Sequence, residues 1–65
     1  MDEATERDLE ALMRERRMRE ARLNRALGEL LGSGHGTGEA GLAIAALEDV
    51  LRSIAAVVRR IEEAG

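Results

Sequence analysis

The sequence predicts an all-α fold: an antiparallel two-helix hairpin, completed to a four-helix bundle by dimerisation or by a partner. Three observations predict it. Two stretches with helical apolar spacing, about residues 2–31 and 39–64, flank a run in which every second residue is glycine, Gly32-Ser33-Gly34-His35-Gly36-Thr37-Gly38. No Pro interrupts either stretch. The 65 residues set a limit of one small domain, spanning 1–65, and a connection of seven residues forces neighbouring antiparallel helices.

The first helix opens on acid. Asp2, Glu3, Glu6 and Asp8 complement the positive end of a helix dipole, and Asp2 or Thr5 supplies an N-cap oxygen. Its apolar residues fall in two clusters, Leu9-Leu12-Met13 and Leu23-Ala26-Leu27-Leu30-Leu31. Arg16, Arg19 and Glu20 occupy the positions between them, so the centre is either solvated or packed through aliphatic stems. Gly32 stands where a left-handed residue closes a helix after Leu31, and Thr37 is the expected N-cap of the second helix.

The second helix carries the clearer pattern. Leu47, Ile54 and Ile61 recur at seven residues, as do Ala43, Val50 and Val57. A third row, Ile44, Leu51 and Val58, widens the stripe to the a, d and e positions of a heptad. One neighbouring helix cannot cover a face that broad. The expected partner interface is therefore Ile44, Leu47, Val50, Leu51, Ile54, Val57, Val58 and Ile61, joined from the first helix by Leu23, Leu27 and Leu30. Folding about His35 places Leu27 near Ile44, Leu23 near Leu47 and Leu9 near Ile61.

Composition narrows the function. Apolar residues make up 45% of the chain with no Phe, Tyr or Trp, so the core must come from Leu, Ile, Val, Met and Ala. A single hairpin of this size buries too little surface to be independently secure, and without Cys it has no disulfide or thiolate metal staple. Association is the remaining remedy. The net charge of −3 argues against a general polyanion binder. Met1-Asp2-Glu3 is acidic and no apolar core follows, so no secretory leader is expected. The longest apolar run, Ala40 to Leu47, is too short to span a bilayer. A cytoplasmic protein with no membrane partner is the expectation.

No pattern in the chain carries chemistry. His35 is the only imidazole and has only Glu39 for company, whereas a metal site needs three or four converging ligands. The glycine run lacks the Lys-Ser/Thr of a phosphate loop, and Glu39 would repel a phosphate at the following helix start. Neighbouring carboxylates such as Glu48-Asp49 and Glu62-Glu63 splay around a helix rather than converge. Neither an enzyme nor a cofactor is expected. Arg14, Arg16, Arg17, Arg19, Arg22 and Arg25 form a basic stretch that reads first as a salt-bridged surface, with Glu10, Glu15, Glu20 and Glu29 at four-residue spacing. Its second reading is a phosphate contact, which would make the protein a Rop-like nucleic-acid-binding bundle; no aromatic is present to stack on bases.

The residues Leu23, Ala26-Leu27 and Leu30 before the turn, with Leu51, Ile54 and Val57-Val58 after it, resemble a known pattern. It is that of the small type III secretion proteins which, with a larger helical-repeat chaperone, hold a needle subunit soluble. The match covers about half of the chain. It departs from the family in having no aromatic after the turn and in its glycine loop. The resemblance implies a helical hairpin that acts as a co-chaperone-like adaptor, binding its partner through the wide face of the second helix.

Overall fold

A computed structural model describes residues 1–65 as two packed α-helices, α1 (Glu3–Ser33) and α2 (Thr37–Ala64), without strands. Asp2 caps α1: its backbone is extended and its Oδ1 accepts the Thr5 N–H at 2.8 Å. That bond, then the Thr5 hydroxyl, holds the Asp2 carboxyl below its ordinary value of 3.8, because both favour the charged form.

The turn is tighter than the seven residues expected. Both helices advance into the glycine run and leave only Gly34-His35-Gly36 between them. Left-handed backbone falls at Gly34 (φ 73°) and Gly36 (φ 97°), not at Gly32. Gly32 and Gly38 are helical: each added turn residue gains a backbone hydrogen bond that offsets glycine's poor propensity, about 1 kcal/mol below alanine. The Gly34 N–H closes α1 on the Leu30 carbonyl at 2.8 Å. Ser33 Oγ donates to the Glu29 carbonyl at 2.7 Å and accepts the His35 N–H at 3.1 Å. Thr37 caps nothing. The N-cap of α2 is Gly36, whose carbonyl accepts the Ala40 N–H at 3.0 Å without side-chain help.

The helices meet along one seam with coiled-coil spacing. On α1 the partly covered residues are Thr5, Leu9, Leu12, Arg16, Arg19, Leu23, Ala26 and Leu30, alternating by four and three; Glu15 flanks them. On α2 the seam runs Ala40, Ala43, Leu47, Val50, Ile54, Val57, Ile61. Buried residues number four, Ala40, Ala43, Val50 and Val57, all of them on α2. The long side chains of α1 lie over the short ones of α2 and keep their own outer sides in water. Arg16 and Arg19 take seam positions by the same device, covering neighbours with their stems.

The result is a thin, elongated molecule with extents of 48 × 16 × 11 Å. It exposes 4903 Å². A folded chain of its 7.1 kDa is expected to expose about 4,100 Å². No helix is long and apolar enough to cross a membrane.

Candidate interaction surface

The seam divides the hairpin into two unlike sides. One side is a polar groove in which α1 contributes Asp8, Glu15, Arg19, Arg22 and Glu29, and α2 contributes Glu39, Asp49, Ser53 and Arg60. Both signs of charge alternate along it, and the apolar residues at its floor are mostly small, Ala46 and Ala56 among them. Helical geometry puts the remaining seam-flanking residues of both helices on the opposite side.

That opposite side carries an aliphatic row on α2 from Ile44 to Val58. Leu47, Ile54 and Ile61 are half-buried in the seam, and beside them Ile44, Leu51 and Val58 remain 45%, 46% and 41% exposed. The contribution of α1 is Leu9 and Met13 below, Leu23 and Leu27 above. At the centre stand Arg16 and Glu20, with Nε and Oε1 3.5 Å apart. Arg16 Nε is buried and makes no hydrogen bond. A guanidinium N–H without a good acceptor is an unusual thing to leave against an apolar surface.

The structure sorts the expected interface residues into three groups. Val50 and Val57 are 2% and 4% exposed: the hairpin's own seam consumes them, so they are closed to any partner. Ile44, Leu51 and Val58 stay open, with Leu27 on α1, while Leu23, Leu30, Leu47, Ile54 and Ile61 are shared between seam and surface. The heptad spacing contains all of these residues. Which row meets α1 depends on the rotation of α2 about its axis, and spacing does not carry that.

The six arginines also separate. Arg19 is a cross-helix tie, its Nε on Glu15 Oε1 at 3.0 Å and a terminal nitrogen on the Ala46 carbonyl at 2.6 Å. Together with Arg16 it belongs to the seam. Arg14, Arg17, Arg22 and Arg25 are exposed without ion-pair partners; Arg22 and Arg25 border the polar groove, whereas Arg14 and Arg17 lie on the outer arc of α1. Of the expected i, i+4 pairs, Glu15–Arg19 and Arg16–Glu20 form, whereas Glu10–Arg14 and Arg25–Glu29 do not. Two others appear, Glu3–Arg7 at 3.8 Å and Asp49–Arg52, both solvent-exposed and worth little. His35 sits exposed at the tip of the turn, and no three His, Cys, Asp or Glu side chains gather as they would around a metal.

The surface feature sequence reasoning missed is the cross-helix reach of Arg19. Its signal was present: an arginine at a seam position must either swing out or find an acceptor on the facing helix. No protein-family model, curated protein or solved structure matches the chain.

Proposed function

We propose that this protein is a non-enzymatic helical interaction module, which completes its fold by associating through the side formed by Ile44, Leu51 and Val58. One observation carries this reading. A third row of aliphatic residues, Ile44, Leu51 and Val58, runs along the middle of α2, close to half exposed, on the same side as the α1 clusters. Contiguous apolar surface of that kind marks an association face, because isolated apolar residues elsewhere leave no such continuous strip. The excess of about 800 Å² over the surface expected for a chain of this mass equals one side of a standard protein–protein interface. Covering it yields a four-helix bundle, the ordinary solution for an apolar stripe that two helices leave open.

Leu51→Asp tests the reading. Leu51 is open in the hairpin, so the charge disturbs the seam little but lands in the middle of the association face. Sedimentation equilibrium should show a dimer for the parent chain and a monomer for Leu51→Asp. A parent chain that is a well-folded, non-associating monomer at every concentration would refute it. A parent chain that unfolds alone and folds with a foreign helical protein supports the adaptor role instead of self-association.

A further inference from the structure

We infer that the occupant of this face is a second copy of the chain, turned end over end, so that α1 lies antiparallel on α1 and α2 on α2. The inference rests on the association reading and adds to it a partner, an orientation and a register. It comes from the distribution of residues along the face.

The pattern is symmetric about the middle of each helix. The midpoint of α1 is residue 18, and Leu9 with Leu27, Met13 with Leu23 and Arg16 with Glu20 stand evenly about it. The midpoint of α2 lies between residues 50 and 51. Leu47 and Ile54 stand evenly about that point, and Ile44 and Val58 stand evenly about Leu51. A two-fold axis across the centre of the face therefore sets aliphatic residues on aliphatic residues along both helices. It also sets Arg16 of each copy against Glu20 of the other. A two-fold interface must be self-complementary in this manner. An unrelated partner imposes no such condition. On α2 the seven-residue spacing of the seam already produces the symmetry, whereas on α1 the matching of Met13 with Leu23 and of Arg16 with Glu20 does not follow from the seam.

Charge decides the orientation. The other two-fold arrangement, with its axis along the bundle, lays α1 on α2 of the second copy. Arg16 and Glu20 would then press against the row of Leu47, Leu51 and Ile54, and two charges would lose water with no new partner. End-over-end packing instead closes a ring of four charges at the axis. It also offers the part-exposed Arg16 guanidinium a second carboxylate. The area agrees: the broad side, 48 by 16 Å, projects to roughly 770 Å², against about 800 Å² per partner in a standard interface.

Two measurements test orientation separately from association. Arg16→Glu makes the centre wholly acidic and Glu20→Arg makes it wholly basic. Each alone should dimerise about tenfold more weakly or worse than the parent, since like charges then face one another across the axis. Mixed, they should form a heterodimer near parental affinity, because every acid meets a base on the other chain. In the second measurement, Met13→Cys and Leu23→Cys chains are mixed and treated with a short bis-maleimide. The mixture should crosslink between unlike chains, whereas each chain alone should not. Each variant carries a single cysteine, so no product can be intramolecular, and in a pair of identical variants the two cysteines stand about 15 Å apart along the helices. A parent dimer that shows neither heterodimer rescue nor the mixed crosslink overturns the orientation and leaves the association face standing. A parent chain that never dimerises overturns the second copy altogether.

Discussion

The two helices are of similar length and meet along the same seam, yet all the burial is on one of them. α2 holds Ala40, Ala43, Val50 and Val57, all 5% exposed or less, and α1 holds no buried residue. The difference lies in side-chain length. Alanine and valine carry few atoms beyond Cβ, so a neighbouring helix covers them completely. Leucine and arginine reach across to do the covering and leave their outer surfaces in solvent. The lesson is that a residue's contribution to a two-layer fold is poorly read from its own exposure. Leu12 and Arg19 are half open and still make the lid over α2.

This asymmetry can be broken most severely at its closed end. Val50→Asp should unfold the hairpin, with loss of the helical circular dichroism signal at 25 °C. An unpaired carboxylate in the seam costs on the order of 3 kcal/mol or more, a large part of what a domain this small can hold. Arg19→Ala strikes the covering side. It should lower stability by about 1 kcal/mol through the lost stem and the lost bond to Ala46, while Arg14→Ala changes it by less than about 0.5 kcal/mol. Equal effects from the two arginines in a thermal melt would show that the cross-helix tie contributes nothing.

Glycine sharpens the same contrast on the backbone. Gly34 holds a left-handed conformation that a side chain resists, so Gly34→Ala should destabilise by about 1 kcal/mol. Gly41 sits inside α2 with open space where a Cβ would stand, so Gly41→Ala should stabilise by about 0.5–1 kcal/mol. For a domain of this size each of these corresponds to a shift of several degrees in melting temperature. The smallest effect belongs to Asp2. Its carboxyl is held below 3.8 in the folded state, so capping is fully present above that value. It fades as pH falls through the depressed folded value. Amide exchange at Thr5 should accelerate relative to the centre of α1 as the cap protonates, and Asp2→Ala should remove this pH dependence.

The hairpin was readable in the residues: the breaker-free stretches, the glycine run and the seven-residue rows of α2 all follow from local periodicity. The turn was readable only in outline. Gly32 and Gly34 are equal candidates for the left-handed position, and hydrogen bonding at the helix end selects the second. The side proposed for association was half legible. Ile44, Leu51 and Val58 were visible as a row, but Val50 and Val57 belonged to the same stripe and turned inward.

By itself, then, the sequence determined that two helices form, where they break, and that α2 carries more apolar surface than one neighbour can cover. Propensity, capping and spacing are properties of a chain segment, and they act within a few residues. Only the tertiary structure decided which rows face inward, that Arg16 and Arg19 lie in the seam, and that Arg19 finds the Ala46 carbonyl. Those outcomes depend on the rotation of one helix against the other. That rotation is set by how the long side chains of α1 fit over the short ones of α2, which neither segment specifies alone.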